Sequence, residues 1–315
     1  MNTSLPTFSI IVPTYNRPQQ LRRCLRALAA LAYPADRFEV IVVDDGGDSP
    51  LEELIAEYET RLDLRHVVQE NQGPAVARNH GARLANGRFL AFTDDDCAPA
   101  PTWLRQLATR LQADPHKMVG GYTQNALHRN PFSTTSQMLV DYLYHYYNQT
   151  ESRARFFTSN NFAVAAELFW LVGGFDESMP LAAGEDRELC DRWLANGLGM
   201  VYVPYAIVHH EHDLRPFSFW RQHFNYGRGA WLYRWLRSQR KADVLQLEPP
   251  TFYFNLISFP LTAVHDLRAY LLMAMLFFTQ VANALGFFYE RFTQRQQRKK
   301  VADLTHEKVP IHFQR

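Results

Sequence analysis

Short apolar runs alternate with helical patterns over the first hundred residues, and this alternation constrains the fold more than any other feature of the sequence. The runs carry no regular polar alternation, as is typical of strands buried on both faces. Each is followed by a segment with helical spacing or a polar connection, which predicts a mostly parallel sheet flanked by helices. We therefore expect an α/β fold. The predicted strands are "FSIIVPT" (8–14), "FEVIVVDD" (38–45), "LRHVV" (64–68) and "RFLAFT" (88–93).

Three polar clusters come directly after predicted strands. They are Pro13–Thr14–Tyr15–Asn16, Asp44–Asp45 and Asp94–Asp95–Asp96. Because the carboxyl ends of parallel strands meet at one edge, where open α/β sheets bind ligands, these clusters should converge. A dinucleotide-binding fold would need G-x-G-x-x-G after the first strand, and the chain has "PTYNRPQQ" there, which argues against it.

The three consecutive aspartates call for a positive partner, because neighbouring carboxylates raise one another's pKa and destabilise the fold. In an extended segment Asp94 and Asp96 point to the same side. Two such carboxylates suit Mg²⁺ or Mn²⁺ bound together with substrate phosphates. The structural alternative is a solvated acidic turn that caps a helix near Trp103. We interpret Cys97 as a small buried residue rather than a reactive thiol.

Composition excludes some partners. The formal net charge of +1 gives no field that would gather a polyanion, so no nucleic-acid partner is expected. Three widely spaced cysteines form no C-x-x-C pair, which indicates a reducing compartment. The N-terminal residues show no basic leader with an apolar stretch, so we expect no cleaved signal peptide and a catalytic body that stays where it is made.

The middle of the chain carries two further motifs. Segments 117–124 and 200–210 read as strands, and "EDRELCDRWLANG" (185–197) reads as a helix ending at a glycine. Glu185 and Asp186 therefore lie at a helix N-terminus, where the macrodipole favours ionised carboxylates. This effect alone could explain the pair without catalysis. "VHHEHD" (208–213) offers imidazoles to a metal.

Beyond residue 215 the composition becomes aromatic, basic and then apolar. "AYLLMAMLFFTQVANALGFFY" (269–289) has no charged residue and is long enough to span a bilayer. Gln280 and Asn283 weaken that interpretation, so the segment could span, lie in the interface or pack on the domain. The basic segment after it suits anionic lipid head groups on a cytoplasmic face. We expect membrane association, with interfacial attachment favoured.

Five motifs occur in order over residues 10–193, namely "IIVPTYNR", "VIVVDDGGD", "NQGPAVARNHGARLANGRFLAFTDDD", "GGFDE" and "GEDRELCDRW". Their order and spacing closely resemble the family 2 glycosyltransferases, which have the GT-A fold, a Rossmann-like and mostly parallel sheet. The resemblance implies a nucleoside-diphosphate-sugar donor, a divalent metal and inversion at the anomeric carbon.

The resemblance also implies site residues on the donor side. Pro13 and Tyr15 would line the base pocket, Asp44 would accept a hydrogen bond from a base that is often uracil, and Asp94 would face the ribose. Asp96 would be the main metal ligand, with Asp94 beside it and His210 or His212 completing the shell. Where many members have D-D-G-S, this chain has Asp44–Asp45–Gly46–Gly47, which leaves the base open. The nucleotide-sugar set is Pro13, Tyr15, Asn16, Asp44, Arg78, Asn79, Asp94 and Asp95.

On the acceptor side, the resemblance makes Asp186 the general base, with Glu185 supporting it or contacting the acceptor. Gly174 and Asp176, in the "GGFDE" turn, would orient the acceptor. A direct displacement needs such a base to take the proton of the acceptor hydroxyl.

These patterns together predict an inverting glycosyltransferase that transfers a sugar from a nucleoside-diphosphate donor to a glycan or lipid-linked acceptor in cell-surface polysaccharide or glycolipid synthesis. The family resemblance implies a UDP-linked donor. We expect the enzyme at the cytoplasmic face of the cell membrane. The predicted divisions are 1–215 (a nucleotide half 1–100 and an acceptor half 101–215), a membrane-associating region 216–292 and a basic tail 293–315. Two alternatives stay open. One is a silent nucleotide-sugar-binding scaffold, and the other is a metal hydrolase built on His209, His210, His212 and the aspartates.

Overall fold

A single sheet organises the chain. The computed structural model describes residues 5–241 and 248–306, and eight strands in this part of the chain form the sheet. They are β1 (Phe8–Thr14), β2 (Phe38–Asp44), β3 (Leu64–Val68), β4 (Phe89–Phe92), β5 (Cys97–Pro99), β6 (Met118–Asn125), β7 (Phe162–Ala165) and β8 (Met200–His210). Their order across the sheet is β3-β2-β1-β4-β7-β6-β8-β5.

The sheet is mostly parallel, which confirms the predicted α/β fold. β1 pairs in parallel with both β2 and β4, and β6 pairs in parallel with β8. β7 runs antiparallel between β4 and β6, and β5 runs antiparallel along β8. Because Thr14 is opposite Asp44 in the register, the polar residues that follow β1 and β2 emerge at the same edge.

Helices cover both faces of the sheet, so its central strands are buried on each side. Ile10 and Ile11 are both fully buried, yet they belong to different apolar clusters, one on each face. This accounts for the unbroken apolar runs in the sequence. The helices are α1 (Pro18–Leu28), α2 (Glu52–Glu59), α3 (Pro74–Arg83), α4 (Trp103–Ala113), α5 (Pro131–Tyr147), α6 (Ala166–Leu171), α7 (Glu185–Ala195), α8 (Pro216–Lys241), α9 (Pro250–Ser258), α10 (Pro260–Ala263) and α11 (Arg268–His306).

The C-terminal helices pack tightly on the sheet domain and on each other. A methyl group at Gly229 of α8 would come within 2.0 Å of the Ala183 carbonyl oxygen, just before α7. A methyl group at Gly227 would come within 1.9 Å of the Asn283 carbonyl oxygen of α11. Only glycine allows such close approach of backbones. α8 is therefore held between α7 and α11.

Helix α11 presents an apolar face to solvent. Its segment Arg268–Gln296 is long and apolar enough to cross a membrane. The most apolar 18-residue window of this segment has a mean hydropathy of 1.8, and only 28% of that window is buried. No other helix in the described ranges meets that criterion. The predicted tail 293–315 begins inside α11, and its residues 307–315 lie outside the described part of the chain. The exposed apolar side chains of α11 include Tyr270, Leu271, Phe277, Phe278, Val281, Leu285, Phe288, Tyr289 and Phe292.

Candidate active site

A large cleft opens where the carboxyl ends of β1 and β4 meet α3, α7, β8 and α8. Its volume is about 1280 Å³. Nine of the predicted site residues line it, and five do not. Those that line it are Pro13, Tyr15, Arg78, Asp94, Asp95, Asp96, Glu185, Asp186 and His210.

Each carboxylate of the acidic triplet has a different partner. Asp94 accepts a hydrogen bond from Arg78 at 2.7 Å, and Asp95 accepts one from the Thr14 hydroxyl at 2.8 Å. Asp96 Oδ1 lies 3.2 Å from His210 Nε2. Arg17 Nη1 lies 3.3 Å from Asp95 Oδ1 and 3.2 Å from Asp96 Oδ2. The repulsion expected from three adjacent aspartates is therefore offset by two arginines and a histidine.

These partners shift the pKa values of Asp95 and Asp96 in opposite directions. Burial and the Asp96 charge raise the pKa of Asp95 to about 7. Burial would also raise the pKa of Asp96, but His210 and Arg17 lower it below its ordinary value. Although burial opposes it, the Asp96 carboxylate raises the pKa of His210. Asp96 therefore stays ionised at neutral pH, and it faces an imidazole.

Asp96 and His210 fit a divalent cation. The possible ligand atoms of Asp96, Cys97 and His210 lie within 4.8 Å of one another. This grouping results from the antiparallel pairing of β5 with β8, in which Cys97 is opposite His210. Burial raises the pKa of the Cys97 thiol well above its usual range, so the thiol stays protonated and is a poor ligand. The remaining carboxylate oxygen and imidazole nitrogen suit Mn²⁺ better than Mg²⁺, which prefers oxygen alone.

The other histidines of this segment do not join the group. His209 is exposed, because successive residues of β8 face opposite sides of the sheet. The His212 ring lies 4.9 Å from the His210 ring, and burial together with His210 lowers the pKa of His212 to about 4. Within the described ranges, one histidine belongs to a possible metal group, which gives no support to a multi-histidine zinc site.

Arg78 links the two sides of the cleft. Its guanidinium is 3% exposed, donates to Asp94 on one side and lies 3.1 Å from Glu185 Oε1 on the other. It also lies 5.5 Å from the centre of the Phe175 ring. Although burial opposes it, Asp94 and Glu185 raise the pKa of Arg78. Arg78 therefore stays charged and ties the end of β4 to the start of α7.

Asp186 carries a titratable group that is suited to accept a proton. It is partly buried in the first turn of α7, where its Oδ1 accepts the Arg187 backbone N–H at 2.7 Å. Burial and the neighbouring Glu185 raise the pKa of Asp186 to about 7, and burial also raises the pKa of Glu185. A carboxylate that titrates near neutrality is a suitable general base at physiological pH.

Five predicted residues lie outside the cleft lining. Asp44 accepts a hydrogen bond from the Gly47 backbone N–H at 2.9 Å, and Asn16 accepts one from Asp48 at 2.7 Å. Both thereby fix the turn that follows β2. The others are Asn79, Gly174 and Asp176. Asn79 and Asp176 line a separate hollow of about 410 Å³, and Gly174 belongs to the same turn as Asp176.

The hollow is organised by one amide. Asn79 donates to the Phe175 carbonyl oxygen at 2.9 Å and accepts from the Phe175 backbone N–H at 2.9 Å. Asp176 accepts hydrogen bonds within the same turn, from the backbone N–H and the hydroxyl of Ser178. The structure therefore joins Asn79 to the "GGFDE" turn, whereas residues 180–184, which follow that turn, line the cleft.

Some cleft residues were not predicted from the sequence. Arg17, which follows β1 by three residues, could have been found as a cation next to the polar edge. Arg187 pairs with Glu248 at 3.0 Å and lies 4.8 Å from the centre of the Tyr147 ring and 5.3 Å from that of Tyr233. These groups come from α5, α7, α8 and the start of the α9 segment, so no local sequence signal unites them.

Comparison with known proteins finds a family whose model matches this chain. The model of Glycosyl transferase family 2 matches residues 9–171. Validoxylamine A glucosyltransferase of Streptomyces hygroscopicus subsp. jinggangensis is 32% identical over 230 residues, covering 62% of this chain and 53% of that protein. Hyaluronan synthase of Pasteurella multocida is 32% identical over 238 residues, covering 64% of this chain and 24% of that protein. The match thus spans about half or less of these relatives' lengths.

Solved structures share the fold at low sequence identity. The mannosyltransferase PcManGT of Pyrobaculum calidifontis, solved with GDP-Man and Mn²⁺, superimposes with a TM-score of 0.65 at 19% identity, over 91% of this chain and 88% of that one. S. aureus TarS 1–349, solved with UDP-GlcNAc, gives a TM-score of 0.52 at 17% identity, over 92% of each chain. At such identities the similarity establishes the fold alone.

Proposed function

Because this chain belongs to glycosyl transferase family 2 and has the GT-A fold, we propose that it is an inverting glycosyltransferase that uses a nucleoside-diphosphate sugar. The observation that carries the proposal is that one cleft contains both the acidic triplet and Asp186, whose pKa is raised to about 7, with Arg78 between them. The acidic triplet suits a divalent metal ion bound to the diphosphate of the donor. Asp186 suits an acceptor hydroxyl that must lose its proton.

For the donor, we propose that Pro13 and the exposed ring of Tyr15 hold the base, and that Asp94 and Asp95 lie toward the ribose and diphosphate. All four line the same end of the cleft. Asp44 and Asn16 would act by shaping the adjoining turn, which they already brace. Two of the structural neighbours were solved with a GDP-linked and a UDP-linked sugar. We propose UDP for this chain, in line with its motif resemblance, and the experiment below includes GDP and dTDP.

For the metal, we propose that Asp96 and His210 are the protein ligands, with Asp94 nearby. When bound, the ion neutralises the charge that develops on the departing diphosphate, a contribution of several kcal/mol to lowering the barrier. Arg17, which already contacts Asp95 and Asp96, adds a second positive charge at this end.

For the displacement, we propose that Asp186 takes the proton of the acceptor hydroxyl as the hydroxyl oxygen attacks the anomeric carbon of the donor sugar. The bond from that carbon to the diphosphate oxygen breaks on the opposite face, so the configuration inverts and the nucleoside diphosphate leaves with the electron pair. Glu185, fixed by Arg78, holds the first turn of α7 in place. Residues 180–184 line the cleft next to this base, and we propose them as acceptor contacts ahead of Gly174 and Asp176, which lie outside the cleft lining.

We also propose that the exposed apolar face of α11 lies in the interface of a membrane, at its cytoplasmic side, and that the product belongs to a cell-surface glycan or glycolipid. The support is that the opposite face of α11, including Leu272, Leu276 and Ala282, is buried against the protein. A helix anchored in this way presents one apolar side outward, as interfacial helices do. The predicted boundary near residue 215, between the glycosyltransferase domain and the membrane-associating region, stays a prediction.

A nucleotide-release assay tests the enzymatic part of the proposal. Purified protein with Mn²⁺ is incubated with UDP-glucose, UDP-N-acetylglucosamine, GDP-mannose or dTDP-glucose, with and without a membrane extract as the source of acceptor. We expect extract-dependent release of one nucleotide diphosphate, and its loss in Asp186→Asn. Tight donor binding without release or transfer would instead support the catalytically silent scaffold.

Vesicle sedimentation tests the membrane part. The triple variant Leu271→Ser, Phe278→Ser and Leu285→Ser should bind vesicles containing anionic lipid at least tenfold more weakly, because each side chain contributes more than 1 kcal/mol when buried. Leu171→Ser is the matched control, since Leu171 is 72% exposed on α6 of the sheet domain. Unchanged sedimentation of the triple variant would contradict the interfacial placement.

A further inference from the structure

The cleft does not end at Asp186. The same continuous cavity extends from the first turn of α7 along α8 and between α5, α9 and α11. Beyond Asp186 its walls are formed mainly by helical residues from outside the five sequence motifs. The part of the cavity that lies beyond Arg187 is here called the helical arm. It is lined by Leu139, Val140, Leu143, Tyr147, Tyr226, Tyr233, Phe252, Tyr253, Leu256, Ala284, Phe287 and Phe288.

One wall of the helical arm is apolar, whereas Arg234, Glu248, Gln280 and Asn283 also line the cleft. Leu139, Phe252 and Leu256 belong to a buried apolar cluster shared by α5, α9 and α11, and Leu143 packs against it. These side chains offer no hydrogen bond. A hydrated sugar chain packed against this wall would lose hydrogen bonds to water without replacement, at a cost of about 1–3 kcal/mol for each polar group.

The arm also connects two features with different chemistry. At one end is the carboxylate of Asp186, and at the other are Ala284 and Phe288 of α11, which are both exposed. Phe288 lies on the apolar face of α11 that the proposed function places in the membrane interface. A molecule in the arm could therefore reach the base with one end while its other end emerges at the lipid surface.

From this continuity we infer that the helical arm binds the hydrocarbon chain of a lipid-linked acceptor, with the acceptor hydroxyl at Asp186. This inference rests on the proposed function and narrows the acceptor to one class. It assigns acceptor selectivity to Leu143, Leu256 and Ala284 rather than to the sheet edge.

A chain-binding experiment tests the inference directly. The probe is cis-parinaric acid, a fluorescent hydrocarbon chain, displaced from the full-length protein by n-alkyl β-maltosides of increasing length. We expect saturable binding, with displacement that tightens roughly fourfold for each methylene buried. Ala284→Trp should narrow the mouth of the arm and weaken probe binding at least tenfold, and Leu143→Trp should do so from the opposite wall.

The matched control is Leu285→Trp, because Leu285 is 51% exposed on the same helix and lies outside the cleft lining. It should leave probe affinity within about twofold of the wild type, since its side chain does not enter the arm. Equal effects at positions 284 and 285, or none at 284 and 143, would mean that the chain binds only the outer face and would overturn the inference. So would an absence of saturable binding by the wild type.

Titration of UDP and GDP with Mn²⁺ into the same samples separates this inference from the proposed function. Nucleotide binding should be unchanged in Ala284→Trp and Leu143→Trp, which also verifies that the variants fold. If nucleotide binds and the arm variants bind the probe normally, the glycosyltransferase proposal stands and the lipid acceptor falls. If the wild type binds the probe but no nucleotide, the proposed function fails and the acceptor role fails with it.

Discussion

The two ends of the cleft are built in different ways. At the sheet edge, buried charges meet at the ends of strands, and each carboxylate has a defined cation or hydroxyl partner, as Asp94 has Arg78 and Asp95 has Thr14. In the helical arm, apolar side chains from four helices form the wall, and the helices are fixed by close backbone contacts such as that of Gly227 with Asn283. The sheet edge therefore specifies chemistry, and the arm specifies which molecule reaches it.

Removing the base should have the largest effect. Asp186→Asn keeps the size of the side chain and cannot accept the proton, so we expect the transfer rate to fall by about 10²- to 10⁴-fold. Nucleotide affinity should stay the same, because the base contacts the acceptor and not the donor. The measurement is steady-state nucleotide release alongside nucleotide titration.

Asp114→Asn is the control for that substitution, since Asp114 pairs with Arg110 and Lys117 at the surface. It should retain wild-type turnover. A fully active Asp186→Asn would show that the two ends do not meet at this residue.

Disrupting the contact between α8 and α11 should have the next largest effect. Gly227→Val would force a side chain into the Asn283 carbonyl, and overpacking of this kind costs about 1–3 kcal/mol of unfolding free energy. We expect a lower thermal unfolding midpoint and weaker probe binding in the arm. Nucleotide affinity should change little, because the sheet edge is held by other contacts.

Gly199→Ala serves as the matched glycine control. A methyl group there meets only the Lys117 side chain, at 3.4 Å or more. Comparable losses in the two glycine variants, or a loss of nucleotide affinity equal to the loss of probe affinity, would contradict the separation of the two ends.

The dependence of activity on pH should be smaller and should come from the base. Asp186 acts when ionised, and burial with Glu185 raises its pKa to about 7. Below that value the ionised fraction, and with it kcat/KM, should fall about tenfold for each pH unit. Nucleotide release measured between pH 5.5 and 8.5 gives the midpoint. A midpoint near 4 would mean that the base is not desolvated as the structure indicates.

Most of the sheet edge was predictable because its parts are contiguous in sequence. The strands up to β4 were correctly predicted, and parallel pairing then brings their ends together, as the Thr14–Asp44 register does. The family motifs also selected Asp96 and Asp186. What the pattern could not indicate was the partner of each charge. The contact of Asp96 with His210 depends on the short antiparallel strand β5, which is only three residues long and carries a proline.

The helical arm was not predictable in the same way. Residue 147 and residue 248 are far apart in sequence, yet the Tyr147 hydroxyl donates a hydrogen bond to Glu248. Helix α5 has no clear apolar stripe because several of its polar residues, including Thr135 and Gln137, are buried and hydrogen-bonded to backbone carbonyls. Asn79 is a second residue whose partner the sequence did not indicate. Its motif suggests a contact with the nucleotide sugar, whereas its amide bonds the backbone of Phe175 in the distant "GGFDE" turn.

Calorimetric titration of UDP, GDP and dTDP into wild type and Asp96→Ala, each with Mn²⁺ and with EDTA, is the direct test of a metal-dependent nucleotide site at the acidic triplet. We expect one of the three nucleotides to bind with Mn²⁺. We also expect roughly 100-fold weaker binding when either the ion or the Asp96 carboxylate is removed, because the ion contributes several kcal/mol. Binding in EDTA, or by Asp96→Ala, that stays as tight as wild-type binding with Mn²⁺ would contradict the metal role of the acidic triplet. No binding of UDP, GDP or dTDP would contradict the donor site itself.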